Sequence, residues 1–254
     1  MSPRKAPERD ADLDSLPPGL AAAWGVVDTE PRRGPKPAHS VDEIIAVATK
    51  LADEEGVAAA SLPKVAGQIG VTANALYRYV DSKEELIMLV ADRAWGDPPT
   101  LPTDGWREAA AVWCRGLFDR FCSRPWLLDV PATVPLTPHN AAWLDALITV
   151  LKPTGMAAPQ MLTCAYLLDS HARYGANLRR NIPTPEALRS AHPDHQRTTD
   201  AVRTFLNSQL RSRHLNAVAD VVQDPSFLAD EPSLDGFEFG LARILDGIQA
   251  HVRQ

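Results

Sequence analysis

The 254-residue chain is expected to be all-α. Three observations lead there. Apolar residues recur at helical spacing in one segment after another from Ser40 to the C-terminus, and no run alternates at period two. Ser or Thr stands immediately ahead of the early runs, with Gly behind them. Prolines then cut the later runs into separate helices rather than strands joined by tight turns.

Residues 1–38 are read as a flexible extension, because Pro3, Pro7, Pro17, Pro18, Pro31, Pro35 and Pro37 break them repeatedly. One apolar patch, LAAAWGVV (Leu20–Val27), fits a docking turn or a nascent helix. Arg32, Arg33 and Lys36 follow, either as a solvated linker or as a basic arm suited to phosphates. Ser40 and Glu43 form a capping box ahead of a helix with Ile44, Val47, Ala48 and Leu51 on one face, and Gly56 ends it. Ser61 is placed to cap the next helix, with Pro63 in its first turn, Val65, Ala66 and Ile69 on its apolar face, and Gly70 at its end. Thr72 caps a short third helix, and Ser82, with Glu85 three residues later, caps a fourth.

The body follows as longer helices. They are expected over Trp106–Ser123, His139–Leu151, Pro159–Arg180, Thr198–Leu210, His214–Gln223 and Leu234–Val252. Residues 126–138 should be a short helix or turns between prolines, and 183–197 and 224–232 should be loops. The domains are therefore 1–38, a small helical head over 39–97, and a helical body over 98–254.

The third helix carries unusual chemistry. On a wheel of about 100° per residue, Ala73, Leu76 and Val80 face inward, Asn74 and Arg78 outward, and Tyr77 and Tyr79 flank them. Only Val71 separates Gly70 from the Thr72 cap. Two short helices joined so tightly make a helix-turn-helix, whose second helix commonly enters the DNA major groove. There a small Ala73 permits close approach, Asn74 can pair with adenine, and the tyrosine hydroxyls, Arg78 and Lys83 suit phosphate oxygens. A packing turn with decorative tyrosines is the competing interpretation. The whole chain carries a net charge of −6, which argues against non-specific polyanion binding. Locally, however, Lys64, Arg78 and Lys83 stand against Asp81 alone.

The stretch GVTANALYRYVDSKEEL, preceded by SLPKVAGQIG and a capped amphipathic helix, resembles the DNA-binding domain of the tetracycline-repressor (TetR) family. FEFGLARILDGIQA (Phe237–Ala250) is similar to the last helix of the subfamily containing the tetracycline repressor itself. The resemblance implies an all-α homodimer that binds operator DNA through its head and a small-molecule effector in its body. It places Thr72, Ala73, Asn74, Ala75 and Tyr77 near bases, Arg78, Tyr79 and Lys83 on phosphates, and Ser61 over the backbone; Lys64 is added for its charge. Two departures matter. Pro63 stands where the tetracycline repressor has a base-reading arginine, so the operator should differ. Cys122–Val130 (CSRPWLLDV) lacks the histidine-bearing stretch used there for a magnesium–drug complex.

Effector-lining candidates are Trp113, Leu117, Trp126, Trp143, Met161, Tyr166 and His171, although for each one taken singly core packing is the favoured reading. Asp169, Arg173 and Asn177 interrupt an apolar helix at four-residue spacing and suit a pocket, a salt-linked dimer face or solvent. The last helix and Pro159–Arg180 resemble the pair that forms a four-helix bundle across the dimer two-fold, and Phe237, Leu241, Ile244, Leu245 and Ile248 form a wide apolar stripe consistent with that.

A small helical-bundle enzyme or a metal-binding protein is the alternative. No GxSxG, GxxxxGK[ST], HExxH or ExxH pair occurs, and HPDH (His192–His195) lacks a third ligand. No enzyme activity, cofactor or metal is expected. Cys114, Cys122 and Cys164 suit a reducing compartment. No membrane span or signal peptide is read, so the expected location is cytoplasmic.

Overall fold

The computed structural model describes residues 15–26, 39–130, 136–181, 195–224 and 234–252. Its elements are α1 (Leu20–Ala23), α2 (Val41–Glu55), α3 (Leu62–Ile69), α4 (Ala73–Leu76), α5 (Lys83–Trp95), α6 (Trp106–Ser123), α7 (Pro138–Leu151), α8 (Ala158–Asn181), α9 (His195–Ser212), α10 (Asn216–Gln223) and α11 (Leu234–Val252). Short 3₁₀ turns occupy Val57–Ala59, Pro125–Asp129 and Lys152–Thr154. The described residues contain no strand.

The head is α2 to α4 closed by α5. The Ser40 hydroxyl accepts from Glu43 N–H while the Glu43 carboxylate accepts from Ser40 N–H, completing the capping box. Ile44, Ala48 and Leu51 from α2, Val65 and Ala66 from α3, Leu76, Val80, and Leu86 and Val90 from α5 share one apolar core. In the body α6 lies along α8, α7 covers both, and α11 packs on α8 and α6. Arg115 grips Glu238 through two 2.9 Å bonds, and Arg107 reaches Asp246 at 2.6 Å, so charge as well as packing fixes α11 to α6.

Several expectations change. Within 1–38, residues 15–26 fold into α1 and its turns and lie against α5, as the docking-turn reading of the Leu20–Val27 patch expects. Arg32, Arg33 and Lys36 fall outside the described residues, as do 182–194, with His192, and 225–233. The loop expected over 183–197 ends early, because α9 begins at His195. α10 begins at Asn216, not His214, because His214 takes a left-handed conformation (φ 60°) in the turn out of α9. Ser61 occupies the N-cap position of α3, but its hydroxyl accepts no capping bond.

The last helix needs a larger correction. Phe237, Leu241, Leu245 and Ile248 are buried within this one chain, and Ile244 is partly buried. Phe237 stacks on Phe118 at 4.4 Å. An apolar stripe has the same signature whether its own chain or a second copy covers it. On α8 and α11 the apolar side chains left uncovered are Leu162, Tyr166, Leu167, Tyr174, Leu178 and Phe239, while Val202 and Phe205 on α9 and Val218 and Val221 on α10 are exposed as well.

Candidate nucleic-acid interface

The turn between α3 and α4 is built from backbone chemistry. Gly70 takes the left-handed conformation (φ 77°), and the Gly70 and Val71 N–H groups both donate to the Ala66 carbonyl. That geometry favours glycine strongly. Thr72 then reverses the chain, its hydroxyl accepting from Ala75 N–H at 3.3 Å. α4 is one turn long, and Val80 N–H donating to Leu76 carbonyl continues the fold beyond it.

Two buried pins anchor this segment, Leu76 at 0% exposure and Val80 at 1%. Ala73 and Tyr79 are partly buried and packed on the same core. Thr72, Asn74, Tyr77, Arg78 and Lys83 are exposed, Tyr77 by 52%. Ala75 and Ser61 are half-buried at the edge. Lys64 is exposed too, but it pairs with Glu55 at 2.6 Å. So exposed an ion pair is worth only about 0–1 kcal/mol, and a phosphate can compete for that lysine. The segment thus presents an amide, a phenol, a guanidinium and ammonium groups on a rigidly pinned turn.

The head is wired to the body. The Asp53 carboxylate of α2 accepts from Trp126 Nε1 at 2.8 Å and from Arg124 Nε at 3.1 Å. Arg124 also donates to the Ala94 carbonyl of α5. Near the end of α5, Asp92 accepts from the His139 N–H and contacts His139 Nδ1 at 2.8 Å, tying α5 to the first turn of α7. Arg180 at the end of α8 holds Asp129 at 2.8 Å.

The body candidates divide. Trp113, Leu117, Trp126, Trp143 and Met161 are buried core. Trp113 Nε1 donates to the Trp143 carbonyl, and Trp143 Nε1 to the Gly96 carbonyl. Arg173 pairs with Asp169 at 2.8 Å and lies 4.5 Å from the Phe121 ring centroid and 5.8 Å from that of Trp95. Burial pushes the Asp169 carboxyl above its ordinary value, against the opposing pull of Arg173. Trp143 joins the group through an edge contact with Trp95. His171 instead stacks on Phe237 and contacts its carbonyl at 2.9 Å, and Tyr166 is 68% exposed, so neither joins. Asn177 accepts from Arg180 near the end of α8.

Open cavities occur among the described residues, and none of these candidates lines either of the two that follow. One of about 810 Å³ lies between Pro99–Trp106, the end of α7 and Val252. The other, of about 510 Å³, runs between α8 and α11 and is lined by Ile244 and Ile248. No group of three or more possible metal ligands occurs among the described residues, and no helix there is long and apolar enough to cross a membrane.

Sequence reading missed three features. Trp95 and Phe121 flank Arg173, which needed tertiary structure to see. The Asp53–Arg124–Trp126 bridge pairs residues too far apart in sequence to connect by pattern. The uncovered face of α8 did leave a trace, since Leu162, Tyr166, Tyr174 and Leu178 recur at multiples of four.

A pinned, cation-bearing helix-turn-helix on a helical body defines a DNA-binding regulator. Comparison with known proteins agrees. Residues 44–89 match the family model described as bacterial regulatory proteins, tetR family, and residues 98–252 match that of the tetracyclin repressor-like C-terminal domain. The chain is 31% identical over 228 residues to the HTH-type transcriptional repressor DrrR1 of Streptomyces coeruleorubidus, covering 88% of this chain and 82% of that one. It shares its fold with ActR of Streptomyces coelicolor, solved without ligand (21% identity, TM-score 0.67, 86% of this chain and 100% of that chain). ActR in complex with actinorhodin matches equally (22%, TM-score 0.67, 85% and 98%). The chain belongs to the TetR family of bacterial transcriptional regulators.

Proposed function

We propose that the protein is a homodimeric, cytoplasmic repressor released from a palindromic operator by a small organic effector, with no catalytic step and no metal. The observation that carries this is the exposed set Thr72, Asn74, Tyr77, Arg78 and Lys83, raised over the buried pins Leu76 and Val80. Asn74 and Tyr77, with Ala73 and Ala75 allowing close approach, would meet base edges. Arg78, Lys83, Lys64, Ser61 and the Tyr79 hydroxyl would meet phosphates.

One head buries too little surface for a tight specific complex; two heads on two half-sites solve this. The uncovered face of α8, with Phe239 of α11, is where a second copy would pack. ActR is solved with actinorhodin and with (S)-DNPA, and we extend to this chain only that a small organic molecule occupies the body. Arg173 and Asp169, beside Trp95 and Phe121, offer one cation, one carboxylate and stacking faces, and because neither cavity reaches them an effector there would have to displace their present packing.

The mechanism is a population shift. An effector that favours the conformer with wrongly spaced heads lowers operator affinity by its differential affinity for the two states. A gel-shift titration on the DNA upstream of the protein's own gene tests the reading. Binding should weaken steeply with salt, as counterion release requires. Indifference to Asn74→Ala, Tyr77→Ala and Arg78→Ala would overturn it.

A further inference from the structure

α1 is too short to be a helix in its own right. At four residues it lies far below the length at which an isolated helix persists, and it has no fully buried residue. It holds its shape because it is docked. Ala22 and Ala23 pack against the main core. Val26 N–H donates to the Ala21 carbonyl at 2.8 Å and closes the turn.

Two contacts fix where it docks. At Gly19 (φ 83°) a Cβ would stand 2.9 Å from the Cα of Glu85 and 3.2 Å from its carbonyl oxygen, so only glycine allows this approach. Further on, Trp24 Nε1 donates to the Leu136 carbonyl at 2.9 Å. Leu136 immediately precedes Thr137, the N-cap of α7.

Both ends of this contact matter to α5. Glu85 lies in its first turn at 8% exposure, and its carboxylate accepts from Asp81 N–H. Asp81 directly follows Val80, so Glu85 ties the exit of the DNA-facing segment to α5. The other end reaches the start of α7, where His139 already holds Asp92 of α5.

We propose that residues 15–26 are a built-in clamp on α5, bridging its first turn to the start of α7 and so limiting how far the head swings on the body. The effect on DNA rests on the operator-binding role above. The clamp itself does not. A weakly docked turn with few buried contacts belongs to the low-stability end of a structure, so it can release without unfolding the rest.

The test uses the full-length chain. Gly19→Val should undock the clamp, Trp24→Phe should remove only the indole N–H, and Val26→Ser, at a half-exposed position, serves as control. Hydrogen exchange of the α5 amides is read without DNA, and operator affinity by gel shift. In Gly19→Val, α5 exchange should quicken about tenfold and operator binding weaken about tenfold. Far-ultraviolet dichroism and dimer mass should not change. Trp24→Phe should move both readouts the same way by about threefold, and Val26→Ser neither.

Unchanged α5 exchange in both Gly19→Val and Trp24→Phe overturns the clamp. Faster exchange with unchanged operator affinity also overturns it, because the segment is then a passive brace. If the unaltered protein shifts no DNA, the operator-binding role falls, while the exchange measurement still decides whether α5 is clamped.

Discussion

Leu76 and Tyr77 are neighbours in the chain and opposite in their surroundings, one fully buried and the other 52% exposed. Leu76→Ala should therefore lower unfolding stability by about 2–5 kcal/mol, read by denaturant titration. Tyr77→Ala should leave stability and dimer mass intact while weakening operator binding about tenfold, roughly the loss of one good contact. Cys114 gives a third residue-scale expectation. Burial pushes its thiol from 9.0 to about 12, and the Asp169 and Glu238 carboxylates push the same way. Between those values the unfolded chain has lost a proton that the folded chain keeps. Stability should therefore fall as pH rises from 9 toward 12, and Cys114→Ala should flatten that slope in denaturant titrations at fixed pH. At this scale the outward-facing residues Asn74 and Arg78 were legible because helical geometry sorts side chains without knowledge of the rest. Tyr79 was less so. The wheel places it on the flank, whereas the structure packs it on the core, because α4 is one turn long and the wheel loses its meaning beyond Leu76.

Helix ends were legible where a cap acts locally. Ser40, Thr72 and Ser82 all accept the bonds their positions imply. Ser40→Ala should lower the stability of the head by about 1 kcal/mol in thermal melts. Ser61 shows the limit of that reading: sequence can place a hydroxyl at a cap, but the rotamer decides whether it bonds. The stripe on α11 failed for a different reason. Which neighbour covers a helix face depends on long-range packing, here with Phe118, Arg115 and Arg107 of α6. The dimer expectation rests on the outer face of α8, the other helix of the expected pair. Tyr174→Asp should halve the mass measured by light scattering and abolish specific gel shift, whereas Leu241→Ala should destabilise the monomer instead.

For the molecule as a whole, head and body share one apolar core, and polar links at Asp53, Asp92 and Trp143 add to it. Asp53 alone serves both Arg124 and Trp126. Asp53→Ala leaves both donors without that acceptor, so calorimetry should resolve two unfolding steps where the parent protein shows one. The all-α architecture and its two-part division were readable from periodicity and punctuation. The linkage between the parts was not, because it depends on pairs such as Asp53 with Trp126, whose association only the folded chain creates.

Asp53 lies near the C-terminal end of the 15-residue α2. At about 1.5 Å per residue that rod is about 22 Å long, so a tilt of about 5° about its anchored end carries the far tip through about 2 Å. The Asp53 carboxylate is therefore one fulcrum for the head as a lever, while Asp92 and Trp143 hold the α5 side. Two such levers facing adjacent grooves would lose register together, and a displacement too small to disturb either core would suffice to part protein from duplex.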